Sequence, residues 1–106
     1  MNLDVIELQV KDFSKQLDWY RQLFKPLHIE DNFAMFKSGS ATLALFKGKK
    51  NQKVLYFRSK SLEKAHSSLK KKGVKISPIE KVHWGRKFSF ADSEGNKHFV
   101  YEEKGR

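Results

Sequence analysis

Two stretches of this chain register on each other at a constant offset of 49 residues. Val5 falls on Val54, Glu7 on Tyr56, Gln9 on Arg58, Asp12 on Ser61, Phe13 on Leu62 and Tyr20 on Leu69. Strand phase, helix cap and helix core agree at that one offset, so the chain reads as a duplicated supersecondary unit. Its 106 residues suit one domain with one core. The expected organisation is therefore a single domain, 1–106, of two modules at about 1–48 and 52–104.

Each copy reads strand, helix, strand, strand, strand. Leu3 to Val10 alternates, with Ile6, Leu8 and Val10 on one side and Val5, Glu7 and Gln9 on the other, as a strand with one face on a core does. Phe13, Leu17, Tyr20 and Phe24 follow at helical spacing behind a cap at Asp12 or Ser14, and the helix must stop before Pro26. Leu27 to Glu30, Phe33 to Lys37 and Ala41 to Lys47 are the module's other strands. In the second copy Lys53 to Arg58 is a strand, Ser61 caps a helix carrying Leu62, Ala65 and Leu69, and Gly73 ends it. Val74 to Ser77, Arg86 to Ala91 and Lys97 to Glu103 are the remaining strands, with Asp92 to Asn96 as the last turn.

Composition narrows the class. Without cysteine there is no disulfide framework, thiolate metal site or cysteine nucleophile, which fits a reducing, cytoplasmic setting. Apolar runs are only a few residues long, so no membrane span is expected, and the N-terminus lacks the plan of a signal peptide. The net charge of +10 points to anionic partners. It is uneven: residues 1–53 hold nine basic and six acidic side chains, residues 54–106 thirteen and six. Most of the excess sits on connections (Lys47, Lys49, Lys50, Lys53) and at a helix end (Lys70, Lys71, Lys72), where solvation and the helix dipole account for it. No phosphate-binding glycine loop, nucleophile elbow, zinc motif or kinase signature is present.

Three elements together resemble the vicinal oxygen chelate superfamily, the glyoxalase I, bleomycin resistance and extradiol dioxygenase group. They are Leu8 to Phe13 followed by Trp19 to Phe24, Leu62 to Val74, and Trp84-Gly85-Arg86 followed by Phe90 to Asn96. Ser93 and Glu94 replace the proline and second aspartate of the family's final turn. The resemblance implies an α+β fold of two βαβββ modules, with paired curled mixed sheets around a concave cavity and the helices on the convex side. It also implies a homodimer.

In metal-dependent members, four strand positions supply His, Glu or Gln ligands. Here they fall on Val5, Val54, Phe99 and a residue near Ala44, none with a donor atom, so no metal and no other cofactor is expected. His28, His66, His83 and His98 are dispersed. Without the metal, the family's lyase, isomerase and dioxygenase chemistries lose their electrophile. The reading that remains is a metal-free binding protein for an anionic or aromatic small molecule. Arg58 and Arg86 are its candidate anion holders, and Phe46, Tyr56, Trp84, Phe99 and Tyr101 its stacking walls. Glu7 is expected to pair with an arginine, or to serve as a base if any catalysis exists. The alternatives are a metalloenzyme of the same superfamily and a nucleic-acid or protein-interaction module using the basic second half, and the nucleic-acid reading is disfavoured.

Overall fold

The computed structural model describes residues 1–103. The chain divides into two compact units, Asp4–Leu55 and a second formed by Met1–Leu3 with the chain from Tyr56 onward. This division falls inside two strands, after Leu3 and after Leu55, and not in the connection at 48–51, and Lys104, the expected end of the second module, lies outside the described residues.

In the first module β1 (Asn2–Val10) leads through Asp12 into α1 (Phe13–Arg21), then β2 (Pro26–Ile29), β3 (Phe33–Ser38) and β4 (Ala41–Lys47). The Asp12 carboxylate accepts the Lys15 N–H at 3.1 Å, which satisfies one of the donors that open a helix. The strands lie in the order β2-β3-β4-β1, with β1 and β4 parallel and the other pairs antiparallel. Val10, Phe13, Ala34, Phe36 and Leu45 form the core under α1, joined by Leu8, Leu17, Tyr20, Phe24 and Leu43. Because side chains alternate along a strand, Val5, Glu7 and Gln9 of β1 and Ala44 and Phe46 of β4 stand on the face away from α1.

The second module runs β5 (Gln52–Arg58), α2 (Leu62–Lys71), β6 (Lys75–Ile76), β7 (Glu80–Val82), β8 (Gly85–Ala91) and β9 (Lys97–Glu103). Its order is β5-β9-β8-β6, with β7 also on β8; β5 and β9 are parallel. The single strand expected at 74–77 is split. β6 and β7 together pair with β8, and the register shifts by one residue between them. Pro78 has no N–H to offer the ladder, and Ser77 Oγ instead accepts the Ser89 N–H at 2.8 Å, so the strand bulges here and resumes at Glu80. With β6 and β7 counted as one interrupted strand, both modules are βαβββ. Leu62, Ala65, Phe88 and Val100 form the second core, with Phe57, Leu69, Ile76, Ile79 and Phe90 against it.

Alpha2 is closed at both ends. Ser61 Oγ accepts the Lys64 N–H, and Gly73, at φ +79°, turns the chain so that its own N–H and that of Val74 reach the Lys70 and Leu69 carbonyls. This fixes where β6 begins, and hence how β8 and β9 present their outer face.

Candidate functional site

The face of the second module's strands that is turned away from α2 gathers five of the eight expected residues. Tyr56 and Phe99 are register partners on β5 and β9, and their rings stack 5.1 Å apart at 14°. Tyr101, one alternation along β9, meets Tyr56 edge-on at 6.5 Å. Trp84, in the turn between β7 and β8, meets Tyr101 edge-on at 5.6 Å. Arg58 is the register partner of Tyr101: its guanidinium lies 5.6 Å from that ring's centre and its Nε donates to the phenol oxygen at 3.3 Å. Arg58 also pairs with Glu103, through side chains that are half exposed. Exposed pairs of this kind are weak and screened, so a ligand anion can compete for the guanidinium.

Arg86 is not part of this group, contrary to the sequence expectation. On β8 it shares its side with Phe88 and Phe90, which pack under α2, and its register partner is Glu102. Its Nε and Nη2 donate to Glu102 Oε2 at 2.9 and 2.6 Å, and its remaining donors reach both oxygens of Glu63 on α2. The hydrogen bond from Arg86 chiefly holds the Glu63 carboxyl below the usual carboxylate range. Arg86 is thus a strap between helix and sheet.

Two lysines that the sequence reading did not single out belong to the aromatic face. Lys87 Nζ and Lys97 Nζ lie 4.9 and 5.6 Å from the centre of the Phe99 ring. Alternation was the available signal: Lys97 and Phe99 are two apart on one strand, and Lys87 is the register partner of Tyr101.

Glu7 and Phe46 belong to the first module's corresponding face. Glu7 is the register partner of Ala44, and Phe46 that of Gln9 on one side and Phe33 on the other, with the Phe33 and Phe46 rings 4.7 Å apart. The positions to which the resemblance assigns metal ligands, Val5, Val54, Phe99 and one near Ala44, stand by strand alternation on faces away from the helices, and the side chains of Val5, Ala44, Val54 and Phe99 carry no donor. No group of three His, Cys, Asp or Glu side chains gathers among the described residues. His98 is on the helix side beside Phe90, and His66 is bonded to the Ser77 carbonyl at 2.9 Å with its ring edge-on to Phe88, so neither faces the aromatic group. The residues present therefore do not fit a family-type metal site.

A sequence profile of the Glyoxalase/Bleomycin resistance protein/Dioxygenase superfamily matches residues 2–98. The chain belongs to this superfamily. Among curated proteins none is significantly similar in sequence. Among solved structures the chain resembles a Mn(II)-bound glyoxalase from Novosphingobium aromaticivorans (19% identity, TM-score 0.72, over 95% of this chain and 38% of that one). It also resembles an extradiol ring-cleaving dioxygenase from B. fuscum (18%, 0.72, 99% and 33%). A third similar structure is a superfamily member from Vibrio splendidus 12B01 (11%, 0.66, 97% and 100%). The chain spans about a third of the length of the first two. At these identities the likeness concerns the fold. No helix is long and apolar enough to cross a membrane among the described residues.

Proposed function

We propose that this member of the superfamily binds a small aromatic or anionic molecule without a metal, on the sheet faces turned away from the helices. The observation that carries the reading is the stacked Tyr56 and Phe99 pair, extended by Tyr101 and Trp84 and edged by Arg58. Flat apolar walls with a few placed polar groups are what ligand sites are built from, and a guanidinium at the edge suits a carboxylate or phosphate. Glu7 and Phe46 are candidates on the first module's face for the same reason. Support for a metal-free mode comes from Val5, Val54 and Phe99, and the neighbourhood of Ala44, at the positions where the resemblance puts the ligands. With no metal to polarise a substrate, sequestration suits this face better than lyase or dioxygenase chemistry. We place the protein in the cytoplasm, as a single domain of two modules that assembles as a homodimer by analogy with its relatives.

Thermal-shift screening of a library of small aromatic acids, followed by titration of the best ligand, tests this reading. Tyr56→Ala is expected to weaken binding by about fivefold or more, since losing one stacking wall forfeits roughly 1–3 kcal/mol of contact. Unchanged affinity in Tyr56→Ala would remove this face as the site. Near-stoichiometric Mn, Fe, Ni or Zn in tag-free protein would favour the metalloenzyme reading instead.

A further inference from the structure

The chemistry around Phe99 narrows the ligand class, on the premise that the aromatic face is the binding face. One side of Phe99 is taken up by the stacked Tyr56 ring. Two ammonium groups, on Lys87 and Lys97, stand 4.9 and 5.6 Å from the same ring centre, although like charges drawn to one ring repel. The ring quadrupole favours a cation near its face and so offsets part of that repulsion. Neither lysine makes an ion pair among the described residues, whereas the arginines beside them do: Arg58 has Glu103, and Arg86 has Glu63 and Glu102. Acidic groups were thus placed against both arginines of this sheet and not against these two lysines. Their positions are also set by the ladder. Lys87 lies opposite Tyr101, Lys97 is held two residues before Phe99, and Ser89, the register partner of Phe99, adds a hydroxyl on the same face. An oxyanion held between the two ammonium groups would relieve their repulsion, and an attached ring would lie against the aromatic residues.

We infer that Lys87 and Lys97 form an anion clamp at Phe99, so that the ligand is an arene bearing a carboxylate or a phosphate. The two lysines fix the charged group and the Tyr56, Phe99 and Tyr101 rings take up the flat part. A long polyanion would need a run of cations tracking its backbone, and this face offers a compact pair beside a stacking surface, which suits a small molecule.

The test is fluorescence titration of the full chain, using Trp84 as reporter, with a panel of matched arenes: carboxylic acids, the corresponding phenyl phosphates and the neutral amides. Wild-type protein is expected to bind at least one of the two anionic series about tenfold or more tighter than the amides, and the series preferred identifies the charged group. In Lys87→Gln/Lys97→Gln that preference should fall to near one. Thermal unfolding of the double variant checks that it is folded, and each single variant should lose part of the preference. Equal wild-type binding of acids, phosphates and amides would overturn the clamp and leave the aromatic site standing. A preference for anions that survives the double substitution would also overturn it, transferring the role to Arg58. Absence of any binding by the wild-type protein would overturn both readings. Binding that requires an oligonucleotide and falls steeply with added salt would overturn the small-molecule reading in favour of a nucleic-acid backbone.

Discussion

Arg86 and Glu102 are register partners on β8 and β9, and the guanidinium holds Glu102 Oε2 with two donors, at 2.9 and 2.6 Å, while also reaching Glu63 on α2. One side chain thus ties the first turn of the helix to two strands. Arg86→Ala is expected to lower the urea midpoint, because it leaves two carboxylates facing each other without a counter-ion, and to leave ligand affinity unchanged. Arg86→Lys should recover only part of the loss, since a lysine cannot present the planar fork. Loss of affinity with an unchanged midpoint would return Arg86 to the ligand.

Two carboxyls held by hydrogen bonds, Glu63 in this network and Asp92 in the turn before β9, set a dependence on pH. The Glu63 carboxyl is held below its ordinary value first by the hydrogen bond from Arg86. Asp92 is lowered first by the side-chain hydrogen bond from Asn96 and then by the Asn96 backbone N–H. A carboxyl that is more acidic when folded binds fewer protons in the folded state than in the unfolded one, so its contribution is complete above the unfolded value and is lost as pH falls. The urea midpoint should therefore show no loss from these groups between pH 7 and about pH 5, and should decline as pH falls through about 4. In Arg86→Ala the decline should be shallower, because Glu63 no longer has its partner. An acid profile identical to the wild type would mean that Glu63 is not held by Arg86 in solution.

The ends of α2 offer a third check. Ser61→Ala removes a capping oxygen that accepts the Lys64 N–H at 3.4 Å, a long bond, so the cost should lie near the low end of the usual range, about 0.5–1 kcal/mol. Gly73→Ala places a side chain at φ +79°, where nothing lies within 4 Å of the added carbon. Its cost is therefore conformational rather than steric, about 1–2 kcal/mol. Denaturant titration of both variants should rank Gly73→Ala as the more damaging.

These caps were legible in the sequence because they are local: an oxygen-bearing residue three positions before an amide, or a glycine after a run of lysines, needs no knowledge of the rest of the chain. Strand phase was legible for the same reason. Leu8 and Val10 do pack under α1, and Phe57 under α2, leaving Tyr56 and Arg58 on the other face. Arg86 was singled out for its guanidinium fork and not for its strand phase; alternation with Phe88 and Phe90 turns it to the helix side, and its partner Glu63 is 23 residues away in sequence. Beta7 was missed because two of its three residues, Glu80 and Lys81, are charged and disfavoured in strands, and only pairing with β8 makes the segment a strand. Lys87 and Lys97 looked like two more surface charges until the ladder brought both to one ring.

Gly48 follows β4 at a point where the chain has no room for a side chain. A β-carbon built there would stand 2.1 Å from Gln9 Cγ, 2.3 Å from Cδ and 2.7 Å from Nε2. Its N–H donates to the Val10 carbonyl at 2.9 Å, so the backbone cannot retreat without giving up that bond. Since Cγ is close to the Gln9 main chain, turning the end of the side chain does not clear the contact. Gly48→Ala is therefore expected to cost about 1–3 kcal/mol, the usual range for overpacking. The penalty is steric, because Gly48 is not among the glycines at positive φ. Gln9→Ala should cost little alone and should remove most of the penalty when combined with Gly48→Ala, giving a favourable coupling of about 1 kcal/mol or more in a double-mutant cycle. Additive effects would mean that the strain lies in the Gly48 backbone and not against Gln9.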